Sequence, residues 1–285
     1  MADEIDIWLI TNEGSGSVRD ELLADLHDAC ESSGLCIAAR TTFPSEEIPT
    51  REELERREIE VVVTLGGDGT INAVVSALAG WSGAILPLPG GTQNLLTKRV
   101  HGDAVVHEVV HAFAKGRSRR ARPTIIRSSQ GFALAGLLVG PGTSWNDVRE
   151  AMRDGEPAKM LASVGTAIDG TTGSAPVRVA EPEVGEREGY PILELVPHAG
   201  GLDVAAYHAR TGADFVAQTW ALLRREFREG PHDSFGPFDT LVLESCAGEP
   251  LDLLIDGEPA DAGPRESFRL EDCPVDLIAT LMESA

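Results

Sequence analysis

The sequence predicts a doubly wound α/β domain over residues 1–121, followed by an antiparallel β-sandwich over residues 122–285. Three observations carry this. Apolar strand-like runs alternate with helix-like stretches through the first part of the chain. One of those runs, "IEVVVTL" (59–65), is almost wholly apolar, as a strand buried on both faces of a parallel sheet must be. From about residue 122 that rhythm gives way to short β-like runs separated by Gly, Pro and charge.

In order, "IDIWLIT" (5–11) reads as a β-rich strand ending in the loop "NEGSGS". In the helix that follows, Ser17 and Asp20 suggest a capping box, Val18, Leu22, Leu26 and Ala29 line one face, and Gly34 ends it. "LCIAART" (35–41) is a second strand, and Thr50 with Glu53 caps the charged helix "REELERRE". After "IEVVVTL" comes a glycine loop, then the short apolar helix "TINAVVSALAG". "GAILPL" (83–88) is a fourth strand, ending in "PGGTQN", and "DAVVHEVVHAFAKG" is a helix with Val106, Val109, Val110 and Phe113 toward the core. Beyond residue 122, β-like runs start at "PTIIRS" and end at "VDLIATLM", with helical patches at 144–153 and 214–229.

The chain has 285 residues, 42% hydrophobic and 25% charged, a soluble globular composition. A formal net charge of -22 argues against nucleic acid, whose phosphates need a basic footprint, and against non-specific adhesion to an anionic bilayer. A magnesium–nucleotide complex is compatible with it, since the cation bridges carboxylate and phosphate. Lys115, Arg117, Arg119, Arg120 and Arg122 are a local exception; they read first as a solvated linker and second as a membrane or phosphate contact. Cys30, Cys36, Cys246 and Cys273 fit neither a metal site nor a disulfide framework, so a reducing cytoplasm is expected. No run reaches the ~18–20 apolar residues that span a bilayer.

Glycine-bearing loops fall at 12–17, 66–70 and 89–94, the carboxyl ends of strands, where open α/β sheets bind ligands. Gly66, Gly67 and Gly69 remove side-chain bulk and tolerate positive φ, and Thr70 sits at the mouth of the next helix; together they suggest an anion cradle. Asp68 beside an anion then calls for a cation, a water network or a role in proton transfer. Neither the Walker nor the Rossmann glycine pattern is present.

"GGDGTIN" followed by "PGGTQN" resembles the diacylglycerol kinase catalytic-domain family, which includes bacterial lipid kinases, sphingosine kinases and ceramide kinases. "TNEGSG" (11–16) is similar to that family's Asn-Pro-x-Ser-Gly element, and "LLIDGEP" (253–259) to its Asp-Gly-Glu signature. The resemblance implies a nucleotide domain and a lipid domain with the active site in the cleft between them, and a chain end (about 270–285) that packs back on the first domain. It implies ATP and Mg²⁺ as cofactors, with ATP held by Asn12, Ser15, Gly16, Gly66, Gly67, Asp68, Gly69, Thr70, Thr92 and Asn94. Asp256 would be the general base, with Glu258 beside it, the two converging as residues i and i+2 of an extended strand. Asp68 completes the catalytic set and is also the candidate toward magnesium, through water or the nucleotide. Glu13 stands where the family has Pro, "RPTIIRS" lacks the Asp many members carry, and Asp147 only approximates the family's G-F-D-A-like segment.

The implied activity is transfer of the γ-phosphate of ATP to a hydroxyl of diacylglycerol, ceramide or a sphingoid base. An NAD kinase-like enzyme and a non-catalytic nucleotide- or lipid-binding paralogue are the alternatives. The implied partners are ATP and a membrane lipid, with no nucleic acid; peripheral contact with the inner membrane face and a homodimer are left open.

Overall fold

The computed structural model describes residues 5–12, 20–91, 94–140, 176–208 and 232–281. The chain divides into two compact units, Met1–Pro123 with Asp272–Ala285, and Thr124–Glu271. The expected helical patches at 144–153 and 214–229 and the β-run at 159–168 lie outside the described residues.

In the first unit, β1 (Ile5–Thr11), α1 (Asp20–Ser33), β2 (Leu35–Thr42), α2 (Arg51–Arg56), β3 (Val61–Gly66), α3 (Asp68–Ala77), β4 (Ala84–Pro89), α4 (Leu95–His101), α5 (Val106–Ala114) and β5 (Arg119–Ala121) follow one another. The sheet runs β2-β1-β3-β4 in parallel. It then continues through the chain's last strand, Asp276–Ala279 (β17 in chain order), which is parallel to β4 and antiparallel to β5.

All six residues of β3 are buried, which accounts for its unbroken apolar sequence. Side chains alternate between faces, so Val61, Val63 and Leu65 join Leu26, Ala29, Val106, Val109 and Val110 in one core cluster. Each buried Val or Leu among them is worth about 1.5–3 kcal/mol. Phe113 packs against the same cluster, half-buried. On α2, Thr50 accepts a hydrogen bond from the Glu53 amide, the cap its sequence announces.

The basic cluster is only partly a linker: Lys115 and Arg117 are exposed in the connection after α5, whereas Arg119 and Arg120 lie in a strand. Arg119–Ala121 form β5, paired with β17, and Arg120 and Arg122 meet Asp276 at 3.6 and 2.7 Å. These arginines tether the returning strand. Such half-exposed pairs are individually weak, ~0–1 kcal/mol, so the ladder and the buried Leu277 and Ile278 hold β17 in place.

In the second unit the strands are β6 (Thr124–Ser128), β7 (Gly131–Ala133), β8 (Leu137–Gly140), β9 (Val177–Glu181), β10 (Ile192–His198), β11 (Gly201–Tyr207), β12 (His232–Phe238), β13 (Thr240–Ser245), β14 (Leu251–Ile255), β15 (Glu258–Ala262) and β16 (Arg265–Asp272). They form a six-stranded sheet, β12-β11-β10-β8-β14-β15, and a five-stranded sheet, β7-β6-β16-β13-β9. Leu193, Leu195, Val204 and Leu253 of the first share one core with Ile126, Val179, Leu243 and Phe268 of the second. That is a sandwich, and the fold class is the predicted one: an α/β domain with a parallel sheet, then antiparallel all-β sheets.

His101 joins β17 to the rest of the first sheet. Its Nε2 lies 2.9 Å from the carbonyl of Pro87, which can only accept, so the proton sits on Nε2. Nδ1 then accepts from the Thr280 hydroxyl at 2.9 Å. Burial pushes the imidazole down to about 4, against the opposing pull of the Pro87 carbonyl. Between about pH 6.5 and 4 the unfolded chain therefore binds a proton that the folded chain refuses, and stability falls as pH falls through that window, by up to about 3 kcal/mol. Urea midpoints at pH 7.5 and 5.0 should drop in the native protein, and His101→Gln should show a smaller drop.

Candidate functional site

β3 and β4 are neighbours, so the loops leaving their carboxyl ends are neighbours too. The glycines let those loops touch. A Cβ on Gly90 would come within 2.7 Å of the Gly66 nitrogen, and one on Gly91 within 2.5 Å of the Gly67 Cα. One on Gly66 would meet Thr70 at 2.8 Å. Positive φ, expected from the sequence as part of the explanation, is not involved: Gly67 has φ -80, and neither Gly66 nor Gly69 is left-handed. Lack of bulk is the reason for glycine here.

Gly67 is the N-cap of α3 and Asp68 its first residue. The Asp68 carboxylate is buried and reaches across to the second loop, where Oδ2 accepts from the Leu95 amide at 3.0 Å and Oδ1 from the Leu96 amide at 2.8 Å. These are the first two amides of α4, which have no partner inside their own helix. Asp68 is therefore the cap of α4, supplied from 27 residues away. Burial pushes its pKa above the ordinary carboxylate value, while the Leu96, Leu95 and its own amide and the Lys98 charge pull it down.

Asn94 does not cap α4 through its side chain. It is left-handed (φ 54), and its side chain closes the loop on Gly91, accepting from the Gly91 amide at 2.7 Å and donating to the Gly91 carbonyl at 2.8 Å. Asn12, at the end of β1, donates to the Thr70 hydroxyl at 2.9 Å, and its Oδ1 is buried without a partner among the described residues. The first unit thus brings together Asn12, Gly66, Gly67, Asp68, Gly69, Thr70 and Asn94. Ser15, Gly16 and Thr92 lie outside the described residues. A cleft of about 250 Å³, lined by Leu22, Pro89, Asn94, Thr97, Lys98 and Val106, borders the second loop.

Asp256 and Glu258 belong to one hairpin of the second unit, and the expected arrangement of the pair needs correction. They are not i and i+2 of an extended strand. β14 and β15 pair through Ile255 and Glu258, and Asp256 and Gly257 form the two-residue turn between them, with φ 49 and 88. Positive φ at both central residues is the type I′ turn that Asp-Gly favours. Asp256 is buried, and it accepts from the amides of Leu134 (2.7 Å), Ala135 (2.9 Å) and Gly136 (3.2 Å). Glu258 is exposed. Three backbone donors fix the orientation of the Asp256 carboxylate.

Sequence reasoning missed the amides of Leu95, Leu96 and residues 134–136, because a backbone donor leaves no signature in side-chain identity. A consequence follows for Asp68. Substitution Asp68→Ala strips two buried donors of their acceptor and should cost about 2–4 kcal/mol, read as a lowered urea midpoint with α4 losing amide protection first.

Residues 6–125 match the sequence profile of the diacylglycerol kinase catalytic domain. No protein of curated function matches the sequence significantly. Among solved structures, one from Bacillus anthracis str. Sterne, provisionally named a diacylglycerol kinase, is 16% identical and superposes with a TM-score of 0.64 over 97% of this chain and 95% of its own. Another from the same source, named a diacylglycerol kinase, is 15% identical with a TM-score of 0.62 over 98% of each chain. At such identities the likeness is one of fold. Over residues 6–125 this chain resembles the diacylglycerol kinase catalytic-domain family, as its glycine loops imply, and it shares the fold of those solved structures along nearly its whole length.

Proposed function

We propose that the protein is an ATP-dependent lipid kinase that transfers the γ-phosphate to a hydroxyl of diacylglycerol or of a sphingolipid, ceramide or a sphingoid base. The observation that carries this is the pair of glycine loops locked together by Asp68 within a stretch matching a lipid-kinase catalytic domain. ATP fits the residues present. A Cβ at Gly66, Gly90 or Gly91 would strike Thr70 or the facing loop's backbone, the amino terminus of α3 lies at these loops, and Asn12 Oδ1 is buried without a partner among the described residues. Asn12, Gly66, Gly67, Gly69, Thr70 and Asn94 would hold the phosphates, with Ser15, Gly16 and Thr92 completing the set. Mg²⁺, when bound, supplies neutralisation of the transferring phosphoryl charge. Both Asp68 oxygens already accept backbone amides, and its service to the cation would be through water or the nucleotide.

Asp256 is assigned to the acceptor hydroxyl, with exposed Glu258 next to it. Phosphoryl transfer has a loose transition state and asks for positioning more than for a strong base. A carboxylate oriented by three amides suits that demand: it aligns the hydroxyl and takes its proton late.

Purified protein incubated with labelled ATP·Mg²⁺ and a panel of diacylglycerol, ceramide, sphingoid base and NAD should label a lipid alcohol. Labelling of NAD alone, or of nothing by folded protein, overturns the reading. Asp256→Asn should lower the rate by roughly 10²–10⁴-fold. A binding-only paralogue is the second reading, favoured by the engagement of both buried carboxylates with backbone amides; it predicts nucleotide binding without turnover in the native protein.

A further inference from the structure

At the β12 edge of the six-stranded sheet, three side chains from separate segments converge. Glu186 lies in the connection from β9 to β10, His208 directly follows β11, and Asp233 is the second residue of β12. Asp233 pairs with Ala206 across the ladder and so shares the face of that fully buried residue, toward the sandwich core. One ligand-type atom from each of the three lies within 4.8 Å of the others. His208 Nε2 is 3.2 Å from Asp233 Oδ2, and His208 Nδ1 is 4.0 Å from Glu186 Oε1.

We propose that Glu186, His208 and Asp233 bind a divalent transition-metal ion of the zinc type. Metal–ligand bonds of about 2.0–2.2 Å in a tetrahedron put ligand atoms about 3.3–3.6 Å apart, so His208 and Asp233 already stand near that spacing. Glu186, exposed on its turn, stands against the other ring nitrogen, so its side chain has to swing toward Nε2 to become the third ligand. The chemistry is one imidazole and two carboxylates, a donor set for zinc, cobalt or nickel; magnesium prefers oxygen alone. Two carboxylates face this one imidazole, in a chain of net charge -22.

A supporting layer is built in. The buried Tyr190 hydroxyl donates to Asp233 Oδ2 at 2.9 Å and accepts the Glu186 amide at 2.9 Å, so one residue orients both carboxylate-bearing segments. The His208 ring stands edge-on to Tyr190 at 5.2 Å. An ion here would cross-link the β9–β10 connection, the end of β11 and the edge strand β12, independently of nucleotide.

Isothermal titration of full-length, chelator-treated protein with Zn²⁺, without nucleotide, tests this. The expected result is saturable binding near one equivalent, a raised thermal midpoint, and no competition by millimolar Mg²⁺. His208→Ala and Glu186→Gln should each weaken binding by about tenfold or more, and Cys246→Ser should leave it intact. Glu186→Gln, at an exposed turn, should not alter the metal-free thermal midpoint, which separates ligand loss from misfolding. Absence of saturable binding overturns the proposal, as does binding that survives both substitutions. A Co²⁺ adduct with a thiolate charge-transfer band that disappears in Cys246→Ser also overturns it.

Discussion

One carboxylate holds the glycine loops in register. Asp68 starts α3 and caps α4, so the loop after β3 and the loop after β4 move as one body. Geometry leaves little alternative, because backbone is packed on backbone: Gly66 against Gly90 and Gly67 against Gly91, with the Gly90 amide bonded to the Gly66 carbonyl at 3.2 Å. Any side chain at Gly90 or Gly91 would part the loops, and loss of the carboxylate would orphan α4. Under the proposed reading, a phosphate cradle made of backbone donors works only if those donors are already in place, which this contact would secure.

The second unit uses the same device. Asp256 gathers the three amides of residues 134–136 as Asp68 gathers two. In each case an acid that a motif reading assigns to chemistry is also what fixes the local backbone. The two roles are compatible in phosphoryl transfer, where alignment and charge placement dominate the barrier. They also make the expected effects of mutation composite, since removing either acid disturbs geometry along with chemistry.

What was legible in the sequence is what burial and local capping write into it. β1 to β4 announce themselves through apolar runs, and α2 through Thr50 and Glu53. By contrast α4, "LLTKRVH", has no local cap: Asn94 is spent on Gly91 and the cap comes from Asp68, so no nearby residue marks where the helix starts. β5 was hidden behind its arginines, whose partner Asp276 lies more than 150 residues away. β12, "HDSFGPF", is an edge strand with Gly and Pro inside it, where the β-strand pattern is weakest. The Asp-Gly turn interrupts what the motif suggested was extended strand, and the amides of residues 134–136 that hold Asp256 leave no mark in the sequence.

Hydrogen–deuterium exchange of the intact protein, with and without a non-hydrolysable ATP analogue and Mg²⁺, tests the central claim most directly. The account predicts slowed exchange concentrated at residues 66–70 and 90–96, both segments responding together because Asp68 couples them. Protection confined to one of the two segments, or nucleotide binding that leaves both unchanged, would contradict it.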